Sequence, residues 1–462
     1  MTKAERFFND IKDKKVSFIG TGVTNNGIIE MFLKKGIDVT VCDRKTRDEM
    51  GGLADSFETM GAKLSLGENY LEPIYSSDIV FRAPGVYYLN EALTKAREAG
   101  VAVTSEMEVF FDICPCKIIA ITGTEGKTTT TTIISEVLAK SGRTVHKGGN
   151  IGRALLPLVE EMKSDDIAVV ELSSFQLISM RRSPDTALIT NVYPDHLNVH
   201  SSMEEYIGAK KNLILHQNAF GKAVLNADNA DTNALSSDVR GRLLKFSRLG
   251  KVDRGAYLDE EGWLCYTENG NKERIVHKDS IKLPGYHNIE NYLAAIAVLH
   301  GNVPNETIAE TAKTFGGVEH RIEFVRELDG VRYYNDSIAT SPVSVIAGLK
   351  AFSQKLIVIA GGSDKKLDYN DLAEPINSSV KVLVLTGDTA DMIEAAVKGY
   401  KDYDENSCRI IRADSMEDAV RAAREAAVSG DVITLSPASA SFDRYKNFEE
   451  RGRHFKSIVN AL

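Results

Sequence analysis

Residues 118–128 read IIAITGTEGKT, an apolar run that leads into a glycine turn ending in Gly126-Lys127-Thr128. An apolar strand followed by such a turn and a helix is typical of a phosphate-binding loop, where backbone N–H groups and the helix N-terminus face an anion. In this motif the lysine reaches the β- and γ-phosphates and the threonine hydroxyl binds Mg²⁺. The more common loop has glycine at the position of Ile121, so we expect a shorter loop here. The stretch predicts a nucleotide-binding site.

The composition is that of a globular protein with several domains. The chain has 462 residues, of which 43% are hydrophobic and 26% charged, and its formal charge is −9. One core rarely extends beyond about 250–300 residues, so we expect more than one domain. The negative charge disfavours a nucleic-acid partner, and no apolar run approaches the roughly 20 residues of a membrane span. The five cysteines fit reduced thiols. We expect a cytoplasmic, monomeric protein that acts on small molecules without a nucleic-acid or membrane partner.

The N-terminal segment has the pattern of a Rossmann-like half. Strand 16–19 leads into the turn GTGVTN, and helix 28–35 and strand 38–42 follow. The third glycine of the dinucleotide fingerprint is replaced by Asn25, which weakens the case for an NAD site. Asp43 nevertheless stands about where a ribose-binding acid would.

Strands and helices alternate through most of the chain, which favours parallel sheets with helices on both faces. A second parallel set begins near residue 117, and a third set follows residue 317. We therefore expect an α/β fold of three domains. They are a Rossmann-like N-terminal domain at residues 1–113, a central P-loop mononucleotide-binding domain at residues 114–317, and a C-terminal Rossmann-like domain at residues 318–462.

Two further strands of the central domain end in polar side chains. The apolar run 167–170 ends in Glu171, and run 187–190 leads to Asp195-His196. Ligands of open parallel sheets bind beyond the carboxyl ends of the strands, so Glu171 can reach the same crevice as Thr128 and share a Mg²⁺. Taken alone, Glu171 fits a solvated loop acid and His196 a surface histidine. Behind a phosphate loop, both indicate a functional site.

Longer motifs carry a resemblance to a known family. Beside the phosphate loop, they are ELSSFQL at 171–177, Asp195-His196, LPGYHNIEN at 283–291, PASASFD at 437–443 and KNFEERG at 446–452. Together these motifs resemble the Mur ligases over essentially the whole chain. The two C-terminal motifs are similar to the members that add D-glutamate to UDP-N-acetylmuramoyl-L-alanine in peptidoglycan precursor synthesis.

The resemblance implies an ATP-dependent amide ligase. In this chemistry ATP phosphorylates a carboxylate to an acyl phosphate, and the amine of the incoming amino acid displaces the phosphate. The implied catalytic residues are Lys127, Glu171, His196 and Lys210. Two Mg²⁺ ions are implied, with Thr128, Glu171, His196 and Lys210 as ligands, the lysine as a carbamate formed with CO₂.

The resemblance also implies three sets of substrate contacts. Those to ATP are Gly123, Thr124, Gly126, Lys127, Thr128, Thr129, Asn288, Asn291, Arg321 and Asp336. Those to the UDP substrate are Thr21, Val23, Thr24, Arg44, Lys45, Gly85 and Asn150. Those to D-glutamate are Thr340, Lys365, Ser441, Phe442 and Phe448. The sequence departs from the family at Ile338, where many relatives have lysine.

Simpler interpretations stay open for three of these residues. Lys210 fits the solvated face of a polar helix, Asn288 fits a helix cap, and Lys365 fits a loop charge. For the whole chain, the rivals are a nicotinamide-dependent oxidoreductase, another ligase of the family such as one that adds glutamate to a folate, and an ATP-gated regulatory protein.

Overall fold

The computed structural model describes residues 1–197, 199–283, 285–364 and 367–462, without the side chains of Val23 and Thr24. Helices and strands alternate along the chain, and the strands form three mostly parallel sheets. The predicted α/β fold is thereby confirmed. Helices connect most of the successive parallel strands, which is the usual crossover for parallel pairing.

The first sheet is parallel, with strand order β3-β2-β1-β4-β5. Its strands are β1 (Lys15–Ile19), β2 (Asp38–Asp43), β3 (Lys63–Leu66), β4 (Ile79–Arg82) and β5 (Ala102–Thr104). The helices of this segment are α1 (Lys3–Ile11), α2 (Val23–Lys34), α3 (Arg47–Met50), α4 (Gly52–Thr59), α5 (Glu91–Glu98) and α6 (Glu106–Ile113). Because β1 pairs with β4, the turns that follow these two strands lie side by side.

Helix α2 begins at Val23, five residues before the predicted start at residue 28. Asn25 lies in its first turn and is buried, and its side-chain amide donates to Ile19 O at 3.1 Å and to Gly20 O at 2.8 Å. These bonds satisfy carbonyls at the end of β1. Asn25 therefore ties helix to strand at the position where a dinucleotide fingerprint has its third glycine.

The second sheet has strand order β14-β13-β12-β11-β10-β9-β6-β8-β7. Its parallel strands are β6 (Lys117–Thr122), β7 (Val145–Gly149), β8 (Ile167–Glu171), β9 (Thr186–Ile189), β10 (Lys222–Asn226), β11 (Arg242–Ser247) and β12 (Gly255–Leu258). Two antiparallel strands complete one edge, β13 (Trp263–Glu268) and β14 (Asn271–His277). The central strand β6 pairs with β8 and β9, so the carboxyl ends of these three strands are neighbours.

The helices of the middle segment are α7 (Lys127–Lys140), α8 (Ser174–Leu177), α9 (Met203–Leu215), α10 (Ala230–Ala234), α11 (Tyr286–Leu299) and α12 (Asn305–Thr314). The apolar run 292–299 predicts a helix that starts at residue 292, whereas α11 begins six residues earlier. Asn288 consequently lies within the first turn of α11, and the interpretation of Asn288 as the residue that precedes and caps the helix is wrong.

The third sheet has strand order β15-β16-β20-β17-β18-β19. Its strands are β15 (Glu323–Leu328), β16 (Val331–Asn335), β17 (Leu356–Ala360), β18 (Val380–Leu385), β19 (Arg409–Arg412) and β20 (Val432–Leu435). Strand β15 is the antiparallel edge. The helices are α13 (Pro342–Leu349), α14 (Ala373–Ser379), α15 (Ala390–Lys398), α16 (Met416–Glu425) and α17 (Phe448–Ala461). The apolar runs 356–360 and 380–385 predict two strands, and β17 and β18 have these bounds.

The chain forms two compact units, residues 1–280 with 289–311, and residues 281–288 with 312–462. Within the first unit, one continuous apolar core extends from Ala4 in α1 to Leu235 beyond α10. The first two sheets thus share a core. None of the helices in the described part of the chain is long and apolar enough to cross a membrane.

Candidate functional site

The glycines of the phosphate loop are required by its geometry. Gly123 has φ +152° and Gly126 has φ +78°, and Gly126 is the N-cap residue of α7. A Cβ atom at Gly123 would lie 1.9 Å from Thr190 Oγ1, and one at Gly126 would lie 2.5 Å from Asn291 Oδ1. Because Gly126 has no side chain to cap α7, the first N–H groups of this helix can serve an anion.

Asn191, which follows β9, holds the loop in shape. Its backbone carbonyl accepts a hydrogen bond from Thr124 N at 2.9 Å, and its Oδ1 accepts one from Glu125 N at 2.8 Å. Lys127 folds back so that its Nζ donates to Thr124 O at 2.8 Å. Thr128 and Thr129 follow Lys127 in the first turn of α7. The loop and the first turn of α7 therefore form one ordered cradle.

Asn291 connects α11 to this cradle. Its Oδ1 accepts a hydrogen bond from Thr130 Oγ1 at 3.1 Å and lies against Gly126. The resemblance implies both Asn288 and Asn291 as ATP contacts. Asn291 belongs to the first unit with the loop, whereas Asn288 belongs to the second unit, where its Nδ2 is 3.1 Å from His287 Nε2.

Glu171 ends β8 beside the phosphate loop and is buried. Its Oε1 accepts a hydrogen bond of 2.8 Å from Asn150 Nδ2, and Oε2 is buried with no hydrogen-bond partner among the described residues. A buried carboxylate oxygen without a partner is costly. The arrangement fits a cation ligand that Asn150 holds in one orientation. Sequence reasoning assigned Asn150 to the UDP substrate and missed this contact.

Lys210 is buried in α9, with 2% of its surface exposed, and the interpretation of Lys210 as part of a solvated helix face is wrong. Its Nζ donates to Gly123 O at 2.6 Å and lies 4.5 Å from the centre of the Tyr206 ring. Desolvation, and then the nearby charge of Lys127, lowers the pKa of Lys210 to about 7. A neutral amine, the form that can react with CO₂, is thus accessible near neutral pH.

His196 stands on the segment after β9 with φ +54°, a conformation that few residues other than glycine adopt. Half of its side chain is exposed, and its ring packs against Phe175 at a centroid distance of 5.1 Å. Asp195 Oδ2 lies 3.4 Å from His196 Nε2. This strained and exposed histidine is therefore available to a ligand beyond the strand ends.

Apart from Asn150, which follows β7 of the second sheet, the predicted UDP-substrate residues follow strands of the first sheet. Thr21 donates to Asp43 Oδ2 from its N–H at 2.7 Å and from its hydroxyl at 2.5 Å, and Lys45 N donates to Asp43 Oδ1 at 2.9 Å. These bonds outweigh desolvation and lower the pKa of Asp43. Asp43 thus braces the turn after β1, which counts against its use as a ribose ligand in an oxidoreductase. Arg44 and Gly85 are exposed at the ends of β2 and β4.

In the second unit, Asp336 follows β16 and is buried. Its Oδ2 accepts from Ser436 Oγ at 3.0 Å, and its Oδ1 accepts from Ile322 N at 3.3 Å. Desolvation raises the pKa of Asp336 to about 7, although these bonds and the charge of Arg321 oppose the shift. These hydrogen bonds join Asp336, at the end of β16, to Ser436 and Ile322, and the charge of Arg321 acts on the Asp336 carboxyl group.

The predicted D-glutamate residues that the structure describes follow β16 and β20, which are neighbours in the third sheet. Ser441 is buried, whereas Phe442 is exposed and its N–H donates to Ser363 Oγ at 2.9 Å. Phe448 begins α17, and its carbonyl accepts from Ser337 Oγ at 2.7 Å. Thr340 precedes α13 and is half-buried. Lys365 lies outside the described residues.

Arg451 is a buried residue whose structural role the sequence did not reveal. It donates to Ser337 Oγ at 3.0 Å, to Ala440 O at 2.8 Å and to Ser439 O at 3.1 Å. The arginine thereby joins the segment after β16 to the segment after β20. Arg451 lies in the KNFEERG motif, but an arginine in such a motif gives no sign in the sequence that it is buried.

No group of three or more His, Cys, Asp or Glu side chains in the described ranges is arranged to hold a metal ion. The predicted ligand set contains only two such residues, Glu171 and His196, beside a threonine and a lysine. A cation there would need oxygens from Thr128, from a modified Lys210 or from a bound phosphate.

Family models match three consecutive parts of the chain. Residues 14–105 match the Mur ligase MurD-like N-terminal domain, residues 121–299 the Mur ligase middle domain, and residues 320–439 the Mur ligase glutamate ligase domain.

Curated relatives match over the full length. The UDP-N-acetylmuramoylalanine--D-glutamate ligase of Acetivibrio thermocellus is 46% identical over 100% of this chain and 99% of the relative. The enzyme of the same name from Clostridium acetobutylicum is 44% identical over 99% of this chain and 100% of the relative.

Solved structures share the fold. The UDP-N-acetylmuramate-alanine ligase of Thermotoga maritima has a TM-score of 0.56 at 18% identity, over 97% of this chain and 99% of that one. A pseudomurein peptide ligase type C from Methanothermus fervidus has a TM-score of 0.52 at 20% identity, over 97% of this chain and 100% of that one.

Proposed function

Because the chain belongs to the Mur ligase family, we propose that it is an ATP-dependent ligase that joins D-glutamate to UDP-N-acetylmuramoyl-L-alanine. The product is a precursor of peptidoglycan. Support for the choice of substrates comes from full-length relatives of that name at 44–46% identity.

The observation that carries the chemistry is the grouping at the carboxyl ends of three adjacent strands. The phosphate loop follows β6, Glu171 ends β8, and His196 stands on the segment after β9. Lys210 approaches the same loop through Gly123. Polar groups that converge at this edge of an open sheet fit phosphoryl transfer, in which positioning and charge neutralisation do most of the catalysis.

The residues fit a bound Mg²⁺. The unpartnered Glu171 Oε2 is an oxygen ligand of the kind Mg²⁺ prefers, and Thr128 supplies the hydroxyl that phosphate loops use. We propose that these two hold the ion bound to ATP, and that His196 and Lys210, as its carbamate, hold a second ion. When bound, Mg²⁺ would neutralise charge on the phosphate oxygens.

The chain's own groups would orient the reactants. Lys127, now bonded to Thr124 O, would turn to the transferring phosphoryl group, and the N–H groups at the start of α7 would hold the remaining phosphates. Asn291 would keep α11 against the loop on the nucleotide side. Asn288, Arg321 and Asp336 are the other predicted ATP contacts, and their contact with ATP stays a prediction.

We propose one substrate subsite for each of the other reactants. The turns after β1 and β4, with Arg44 and Lys45, would bind the UDP group, and Asn150 would orient Glu171 beside it. In the second unit, Lys365 and Ser441 would receive D-glutamate. This assignment would give one ligand to each of the three predicted domains, whose boundaries at residues 113 and 317 stay a prediction. The monomeric state stays a prediction.

The experiment measures phosphate release by the purified protein with ATP, Mg²⁺, UDP-N-acetylmuramoyl-L-alanine and one amino acid at a time. We expect turnover only with D-glutamate and only when every component is present. Equal turnover with L-glutamate, or without the UDP substrate, would contradict the proposal. Turnover with another amino acid or a folate would indicate another ligase of the family.

The domain assignment has its own control. Lys127→Ala should abolish phosphate release and leave binding of the UDP substrate unchanged in calorimetry, since that ligand is assigned to the first sheet. Loss of UDP-substrate binding in this variant would place that subsite at the phosphate loop instead.

A further inference from the structure

His200 is a fully buried histidine to which sequence reasoning gave no role. Its Nδ1 lies 2.8 Å from Glu205 Oε1, and its Nε2 lies 2.9 Å from Ser174 Oγ. Since a carboxylate only accepts, Nδ1 carries the proton. Tyr87 donates to the same Glu205 oxygen at 2.7 Å. A continuous hydrogen-bonded chain therefore leads from Tyr87, after β4, to Ser174 in α8.

Aromatic packing extends this chain to the candidate catalytic residues. The Phe175 ring stacks on His200 at 5.1 Å with an interplanar angle of 5°, and it also contacts His196 at 5.1 Å. Tyr206 packs edge-on against His200 at 5.3 Å, and its hydroxyl lies 3.0 Å from Thr124 Oγ1 in the phosphate loop. His200 thus contacts both the residue that supports His196 and a residue that bonds to the loop.

The other end of the chain lies beside the proposed UDP subsite. Tyr87 lies four residues after Ala83, and Ala83 packs against the turn after β1, where a Cβ atom at Gly20 would lie 3.2 Å from Ala83 Cβ. Arg82, the last residue of β4, is buried and donates from Nη2 to Phe175 O at 2.9 Å. The bond from Arg82 to Phe175 and the chain from Tyr87 to Ser174 therefore join residues 82–87, at and after the end of β4, to the segment around Phe175.

We infer that His200 is a positioning residue through which the UDP subsite and the nucleotide subsite are coupled, an inference that rests on the function proposed above. The Tyr87–Glu205–His200 chain fixes Phe175 beneath His196 and fixes Tyr206 against the phosphate loop. A UDP substrate that orders residues 83–87 would thereby order the nucleotide site, and the nucleotide would in return strengthen binding of the UDP substrate.

The test measures, by calorimetry with Mg²⁺ present, the affinity of a non-hydrolysable ATP analogue with and without UDP-N-acetylmuramoyl-L-alanine. We expect the UDP substrate to tighten analogue binding about fivefold or more in the wild type, as is typical of coupled sites. In Tyr87→Phe and in His200→Gln this factor should fall towards one. The double variant should lose no more than either single variant, since both interrupt one chain.

His146→Gln is the matched control. His146 Nε2 lies 2.8 Å from Asp166 Oδ2, and this histidine–carboxylate pair sits at the opposite, amino ends of β7 and β8. Its loss should reduce thermal stability while the coupling factor keeps its wild-type value. If His200→Gln fails to fold, Tyr87→Phe still decides the question, because it removes only one hydroxyl group.

Turnover separates the two proposals. If the wild type ligates D-glutamate but shows no coupling, or if both variants retain the wild-type factor, the inference about His200 is wrong while the proposed function stands. A reduced coupling factor in His146→Gln would also overturn the inference about His200, because the loss of coupling would then result from general destabilisation. A wild type that neither turns over nor binds the UDP substrate overturns both.

Discussion

The side-chain amide of Asn150 holds one oxygen of Glu171 at 2.8 Å and leaves the other, buried oxygen without a partner among the described residues. The amide thereby fixes the carboxylate plane, so that Oε2 has one direction in which to meet a cation. An ordered ligand loses less entropy on binding than a freely rotating one.

Asn150→Ala should therefore lower kcat by about tenfold or more, since hydrogen bonds to charged groups contribute about 1.5–3 kcal/mol. The Mg²⁺ concentration for half-maximal activity should rise at the same time. Steady-state kinetics at varied Mg²⁺ measures both. Asn377→Ala, which removes amide bonds to Ala373 O and Val397 O in the second unit, should change neither. Unaltered kinetics in Asn150→Ala would show that Glu171 needs no such support.

Gly126→Ala should abolish binding of an ATP analogue. The added Cβ would meet Asn291 Oδ1 at 2.5 Å, and the residue has φ +78°. Gly142→Ala is matched in conformation, with φ +83°, but its Cβ meets nothing within 4 Å. The control should lose about 1 kcal/mol of stability from backbone strain and keep its nucleotide affinity. Calorimetry on both variants distinguishes blockage of the loop from strain alone.

Lys210 should react with CO₂ as the pH rises. Its pKa of about 7 means that the neutral, nucleophilic amine increases from pH 6 to pH 8. With ¹³CO₂ at fixed concentration, a carbamate signal in ¹³C NMR should grow over this range and be absent in Lys210→Ala. The variant should be nearly inactive and regain activity with short-chain carboxylic acids. Lys211→Ala, which removes an ion pair with Asp238, should keep signal and activity. Normal activity of Lys210→Ala would exclude the carbamate.

Glu106 should make stability depend on pH. Desolvation raises its pKa to about 7, against bonds from Leu155 N and Leu156 N. The folded state therefore retains a proton that the unfolded state releases above about pH 4.5. The stability gained from this proton is complete below pH 4.5 and is lost as the pH rises through 7.

Relative to Glu106→Gln, the wild type should lose up to about 3 kcal/mol between pH 4.5 and pH 7. Urea unfolding followed by Trp263 fluorescence measures this difference, because the single tryptophan lies in the first unit. Glu98→Gln, a change at an exposed position of α5, should follow the wild-type curve. Parallel curves for the wild type and Glu106→Gln would mean that Glu106 is ionised throughout.

If Lys365 pairs with a carboxylate of bound D-glutamate as proposed, Lys365→Ala should raise the KM for D-glutamate about 30-fold or more, because truncation of one partner of a charge pair that substrate binding buries costs about 2–5 kcal/mol. The KM for ATP should change far less. Lys365→Arg should restore the KM only in part, since a planar guanidinium replaces a compact ammonium. The adjacent Lys366→Ala is the control. If Lys365→Ala and Ser441→Ala both leave D-glutamate kinetics unaltered, the amino-acid subsite lies elsewhere.

The sequence predicted the elements that have a strong local pattern. Apolar runs and turn residues are enough to predict the strand, the glycine turn and the helix around Lys127. Apolar runs also predict the bounds of β17 and β18. The starts of α2 and α11 were placed too late, because polar residues such as Asn25 and Asn288 occupy their first turns. Apolar periodicity gives no signal for such residues.

Other features depend on contacts distant in sequence. The bond from Asn150 to Glu171 spans 21 residues, and the bond from Lys210 to Gly123 spans 87. Burial of Lys210 could not be inferred from the sequence of α9, because Lys211 is also a lysine and nothing local distinguishes the two residues. The sequence does not predict the contacts of His200, because its partners come from three separate segments. The one available signal is that a second histidine follows His196 by four residues.

The core shared by the first two sheets restricts how genes of this family can recombine. An exchange near residue 113 would join an N-terminal segment from one relative to a middle segment from another, yet α6 and β6 contribute to one apolar cluster. The side chains that the two segments contribute to that cluster pack against one another. We expect such hybrids to need compensating changes across the core, so the first two sheets should be inherited together.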